Sequence, residues 1–243
     1  MLNKISKDEL FDRLENNRSL CELDFSGLNF ENVNLSGKVL TQSVFHLTQF
    51  TKCDFSGANL QSTDISRAMF SECNLIGADL TDAKGVGAVF RDSQLSEANF
   101  TRANMQLINM TGIHCDKAQF VGTILNNAWV DGSNFTEANF HKAKMYFILA
   151  QNCNMTKTNF TEADLTAANC ANSDFSNADF SRAMMVVADL RDANIEQANF
   201  TKAILVGTIL VGIDKTKANF DTATMDEIVW EEPKNNKKDS VDS

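Results

Sequence analysis

From Leu20 to Met225 a bulky apolar residue returns at every fifth position, and this rhythm excludes most folds. The frame has 42 positions, which hold 16 Phe, 12 Leu and 6 Met; only Gly85, Ala150 and Lys215 depart from bulky or thiol side chains. Of the 18 Phe in the chain, only Phe11 and Phe147 miss the frame. A period of five is neither the 3.6 of an amphipathic helix nor the 2 of a flat strand. It suits a short extended step followed by a turn. In an extended step, alternate residues share a face.

Call the recurring position i. Half of the residues at i−2 are Ala, as at Ala58, Ala78, Ala138, Ala178 and Ala198, and over half of those at i−1 are Asn or Asp. Ser and Thr often follow the centre. The segments SGANL, IGADL, SEANF, TEANF and TEADL carry the pattern almost unmodified. One large and one small inward side chain per step fill a narrow lumen at protein density. Asn, Asp and Ser supply turns, because their side chains bond nearby backbone. The predicted core therefore includes Phe55, Phe100, Phe140, Phe180 and Phe200. The other three residues of each step point to solvent.

The A-(N/D)-(L/F)-(S/T)-x motif resembles the pentapeptide-repeat family across residues 20–225. The resemblance implies an all-β solenoid, a right-handed quadrilateral β-helix with four repeats per coil. This chain would then build about ten coils, a rod of roughly 50 Å at ~4.8 Å per stacked strand. Residues 1–19 are expected to cap it: Ser6 and Glu9 have capping-box spacing, Leu10, Phe11 and Leu14 follow at helical spacing, and Asn16-Asn17 is a helix stop. Residues 226–243 are expected to hold a C-terminal cap (Ile228, Val229, Trp230) and a disordered polar tail beyond Pro233.

The composition narrows function. With 22 Lys+Arg against 32 Asp+Glu the net charge is −10, which argues against direct binding of nucleic acid. No apolar run approaches the ~20 residues that span a bilayer, and residues 1–17 carry four acids, unlike a secretory signal. Six scattered Cys without CxxC pairs read as reduced thiols in a cytoplasmic protein. Five of them, Cys53, Cys73, Cys115, Cys153 and Cys170, fall on inward positions as small hydrophobes. His46, His114 and His141 have no ligand partners at metal spacing. KGVGAVF (84–90) lacks the strand-to-helix setting of a phosphate loop, and Gly85 and Gly87 read instead as a bulge or kink. No catalytic residue, cofactor site or metal site is assigned, and the chain does not read as an enzyme.

Four repeats per coil stack residues twenty apart on one face. Two faces are polar. A third, around positions 30, 50 and onward, is mixed and carries Met69, Val89, Trp129, Leu149 and Ile209. The face around positions 25, 45 and onward carries an apolar stripe. Its residues are Leu107, Ile124, Tyr146, Phe147, Met184, Val186, Val187, Ile204 and Val206, with Val44, Leu47 and Val86 nearer the N-terminus. A stripe of this size marks an interaction site, although β-branched residues also suit exposed strands on their own account.

Three functions are weighed. The first is a protein-binding scaffold that uses the stripe, as a homodimer or with a protein partner. The second follows from the resemblance. Some members of the family mimic DNA, bind DNA gyrase or topoisomerase IV, and so modulate inhibition of a type II topoisomerase. Against it, this chain lacks their loop insertions and their apolar C-terminal end, and Arg67, Arg91, Lys142, Lys144 and Arg182 interrupt its acidic faces. The third is a secreted, host-directed effector.

Overall fold

The computed structural model describes residues 2–231. β1 (Asn3–Lys4) precedes one helix, α1 (Lys7–Glu15), and short strands follow: β2 (Leu23–Asp24), β3 (Asn29–Glu31), β4 (Gln49–Thr51), β5 (Met69–Ser71) and β6 (Val89–Arg91). β1 pairs in parallel with β2, and β3 to β6 form a parallel sheet whose register steps by twenty, Phe30 to Phe50 to Phe70 to Phe90. Single parallel bridges with the same twenty-residue step continue on the other faces and as far as Ile209–Val229. Four pentads therefore close one coil of a right-handed parallel β-helix.

A pentad with Asn or Asp at i−1 can satisfy all five of its backbone N–H groups. The coil of Phe55 is typical. Asp54 N–H donates to the carbonyl of Val33, Phe55 N–H to Asn74 and Gly57 N–H to Ile76, while Ala58 N–H closes the turn onto Phe55. The fifth donor, Ser56 N–H, goes to Asp54 Oδ1 at 2.9 Å. Asn or Asp at i−1 is therefore favoured because it satisfies the one donor that the ladder cannot reach. The residue at i+2 lies in the left-handed region in nearly every turn, whether Gly or not: Gly57 at φ 60°, Arg102 at 60°, Glu137 at 60°.

The lumen is filled by side chains. Phe55, Phe100, Phe180 and Phe200 are fully buried, and Phe140 nearly so. Phe100, Phe120, Phe140, Phe160, Phe180, Phe200 and Phe220 form one continuous stack, with centroids 4.6 to 5.2 Å apart. At two of the small central residues the i−2 neighbour is large: Ile148 accompanies Ala150 and Ile113 accompanies Cys115, all buried. The swap keeps the filling volume nearly constant.

Two sequence expectations change. Gly85 makes no bulge. Its coil keeps register through Lys84–Asn104, and Gly85 N–H donates to Asn104 at 2.8 Å. The missing side chain is replaced by Met105, whose Sδ fills the place that a Cβ would take. Gly87 takes the φ of 67° that its turn position demands. At Lys215 the frame itself gives way. A 3-10 turn (Lys215–Lys217), capped by Asp214 Oδ1 on Thr216 N–H, turns the lysine outward. Burying an unpaired ammonium in an aromatic lumen costs more than one irregular coil.

Ser6 Oγ accepts from Glu9 N–H at the start of α1, Leu10 is buried, and Leu14 packs on the core, so the helix lies over the first coil. At the other end Ile228 packs on the core, Val229 pairs with Ile209, and Trp230 lies outside with Lys215 Nζ 5.7 Å from its ring centroid. The expected polar tail lies outside the described residues. Among those, no helix is long and apolar enough to cross a membrane.

Candidate interaction surface

Three outward positions recur on each face. The i−1 side chains run down the flat of the face, and the i+1 and i+2 side chains line the corner. On the apolar face Leu107, Tyr146, Phe147, Met184, Val187 and Ile204 are exposed, Phe147 by 49% and Val187 by 55%. Ile124, Val186 and Val206 are half-buried. Seven of them fall in two patches. Tyr146 and Phe147 form a ridge, with ring centroids 4.3 Å apart and edge to face. Met184 and Ile204 are bridged neighbours and, with Val186, Val187 and Val206, form the second patch. The coil of Asp164, Thr166 and Ala167 separates the two.

The corner adds what sorting by faces does not reach. Leu149 follows Phe147 by two residues around the bend and is bridged to Trp129; both are exposed. Trp129, Tyr146, Phe147 and Leu149 therefore form one edge shared by two faces. The sequence signal lies in MYFILA (145–150), where exposed and buried apolar residues follow one another through a corner.

This surface is costly to the local structure. Val44, Ile124, Met184 and Ile204 replace the Asn or Asp at i−1. The N–H groups of Asn126, Val186 and Val206 consequently have no protein acceptor among the described residues. Each missing bond forgoes about 1 kcal/mol. Leu107, Phe147 and Val187 occupy left-handed turn positions at φ 57°, 56° and 51°. That region is unfavourable to bulky residues and most of all to a β-branched one. Residues that merely suited strands would not gather there.

The other faces carry ion pairs between coils. Arg102 binds Asp82 through two nitrogens, at 2.6 and 2.8 Å, and holds its carboxyl below the ordinary carboxylate value. Lys157 meets Glu137, and Lys142 and Arg182 both reach Glu162. Of the three histidines, His114 is exposed and His141 Nδ1 sits 2.7 Å from Thr161 Oγ1. The five inward cysteines are buried and unbridged. Burial raises the Cys153 thiol to about 11, and burial likewise raises Cys115 and Cys170. The described residues contain no cluster of His, Cys, Asp and Glu that fits a metal. A cavity of about 180 Å³ lies between α1 and the first coil, and a second hollow lies beside Trp230, both at the ends of the rod.

A parallel rod of twenty-residue coils with Phe/Leu and Ala inside defines a pentapeptide β-helix. The chain belongs to the pentapeptide-repeat family: residues 23–100 match the model of a pentapeptide repeat region, and residues 113–146, 150–183 and 188–214 match that of pentapeptide repeats. No curated protein matches. Among solved structures the chain is similar to HetL, a pentapeptide repeat protein involved in heterocyst differentiation regulation from the cyanobacterium Nostoc sp. strain PCC 7120. The two share 18% identity over 93% of this chain and 94% of that one, with a TM-score of 0.49. It is similar to a trypsin-treated form of QnrB1, a plasmid-mediated fluoroquinolone resistance protein, at 21% identity over 84% and 90% of the chains, TM-score 0.44. A third, Rfr23 from the cyanobacterium Cyanothece 51142, shares 20% identity over 57% of this chain and 94% of its own, TM-score 0.37.

Proposed function

We propose that this chain is a non-enzymatic scaffold that binds protein through its apolar edge, either a second copy or another partner. The observation that carries the reading is the gathering of exposed apolar residues at positions where the repeat would otherwise place Asn, Asp, Gly or a charge. Burying five or six such side chains contributes roughly 8–15 kcal/mol before association costs. Reduced, buried thiols suit a cytoplasmic setting. The test is Phe147→Asp. The variant is expected to keep the wild-type circular dichroism and melting temperature, since the side chain lies outside the lumen. It is expected to lose self-association or capture of a partner from the native host. Unchanged association and capture would reject the reading.

An acidic DNA mimic that binds a type II topoisomerase is the second reading, favoured by the net charge of −10. The inter-coil ion pairs work against it, because Arg102, Lys142, Lys157 and Arg182 neutralise the carboxylates that would stand in for phosphates. A supercoiling assay with purified gyrase, with and without the protein, tests it.

A further inference from the structure

The apolar face carries a pattern that its exposure alone does not explain. Down the i+2 column from Leu107, large and short residues alternate: Leu107, Asn127, Phe147, Ala167, Val187, Gly207. Projections therefore recur every two coils, about 9.6 Å apart, with a recess between each pair. In the i−1 column Lys144 and Asp164 are bridged neighbours of opposite charge. Yet no ion pair joins them, whereas Lys84 and Asp64, stacked in the same column, meet at 3.1 Å. The Asp164 carboxylate accepts the N–H of Thr166 through Oδ1, as Asp64 accepts that of Ser66, and Lys144 is exposed and free of ion pairs among the described residues.

We propose that this face docks a second copy of the chain, antiparallel, about a two-fold axis between the coils of Met145 and Leu165. The proposal rests on the scaffold reading and names its partner. A two-fold axis lying across two antiparallel rods sets each column against the same column of the other copy, in reverse order. With the axis at that point every projection meets a recess: Phe147 lies over Ala167, Leu107 over Gly207 and Val187 over Asn127. At Gly207 the floor is apolar, since Val187 Cγ1 lies 3.1 Å from where a Cβ would be. In the flat column Met184 lies over Ile124, and Lys144 lies over Asp164, twice by symmetry. At the ends Lys84 comes over the coil of Asp226 and Glu227. Moving the axis half a coil either way sets Lys144 on Lys144 or Asp164 on Asp164, and the first of these also sets Phe147 on Phe147. Charge and shape thus select one register. Eight coils in contact are about 38 Å long and roughly 10 Å wide, about 380 Å² from each copy, the size of a weak, transient interface. The dimer is accordingly expected to be weak, with a dissociation constant of about 10 µM or above.

Sedimentation equilibrium from about 1 to 200 µM tests this on the full chain, with Lys144→Asp and Asp164→Lys alone and mixed. Each variant alone sets like charges together twice and is expected to weaken the dimer about tenfold or more. Their equimolar mixture restores both opposite pairs and is expected to associate like the wild type. Asp164→Asn keeps an acceptor for Thr166 N–H and is expected to weaken the dimer less, with an unchanged melting temperature. A wild type that stays monomeric throughout overturns the dimer, as do single variants that associate like the wild type or a mixture no tighter than its parts. The broader scaffold reading falls separately, if Phe147→Asp captures the same host proteins as the wild type.

Discussion

Phe140→Ala tests the idea that the lumen is a one-dimensional stack. Phe140 is nearly fully buried, stacks between Phe120 at 4.6 Å and Phe160 at 5.2 Å, and meets Phe135 edge-on at 5.5 Å. Truncating a buried Phe to Ala costs about 3–5 kcal/mol. Breaking two stacked pairs and one edge contact places this site toward the top of that range. The neighbours are held by backbone bonds on both sides, as with Ala143 N–H to Phe140 and Lys142 N–H to Thr161. The coil therefore cannot collapse to fill the void. Because each coil couples only to its neighbours, a mid-rod defect also weakens communication between the two halves. Urea unfolding followed by circular dichroism is expected to lose about 4 kcal/mol and to broaden or split into two steps. Phe220→Ala, at a half-buried residue with one stacked partner, is the control and is expected to cost less than half as much with one transition. A Phe140→Ala loss below about 1 kcal/mol, or one no larger than that of Phe220→Ala, would refute the stack as the source of stability.

Gly57 sits at φ 60°, and no atom lies within 4 Å of the place that a Cβ would take. Gly57→Ala is therefore expected to lose about 1 kcal/mol from dihedral strain alone, read from chemical denaturation, with no change in spectrum. In Asp24, Asp64, Asp79 and Asp189, burial raises the carboxyl pKa, but the hydrogen bonds each carboxylate accepts outweigh it, leaving all four below the ordinary 3.8. A lowered folded-state pKa adds stability that is present above the unfolded value and is lost as pH falls through the folded one. The melting temperature is expected to fall below about pH 4, and Asp79→Asn, which keeps the acceptor for Thr81 N–H and removes the charge, is expected to flatten part of that fall.

The lumen is legible in the sequence because each inward position is set by identity and period together: Phe100, Phe140 and Phe180 stand on the same frame with Ala98, Ala138 and Ala178 beside them. The role of Asn and Asp is less so. They look like turn residues, yet Asp54 and Asn59 lie on the strand and reach forward to the turn, because the unmet N–H is two residues on. The turn position itself leaves no clear mark. Glu97, Arg102 and Lys157 hold left-handed dihedrals there, imposed by ladder bonds on both sides rather than chosen by residue type. Gly85 misleads because a missing side chain in the frame suggests a backbone irregularity; the compensation comes from Met105, twenty residues away. Trp129 and Leu149 fall on a separate face by periodicity, which sorts residues by direction and does not show that the edge of one face adjoins the next.

In a solenoid the ladder and the lumen fix the backbone, so outward side chains are free to follow local preference. Where they oppose it, the surface must supply the reason. Val187 gives the sharpest case: a β-branched residue at φ 51°, beside a Val186 N–H that has no protein acceptor among the described residues. Holding a non-glycine residue in that region costs about 1–2 kcal/mol, and Asn tolerates it better. Val187→Asn should therefore leave the folded chain as stable as before or up to about 1 kcal/mol more stable. It should at the same time weaken association through the apolar edge. Opposite signs in the two measurements would mark a residue kept for binding at the expense of folding. If Val187→Asn destabilised the chain by more than about 1 kcal/mol and left association untouched, the contact of Val187 Cγ1 above Gly207 would be its purpose, and the apolar edge would lose its strongest support.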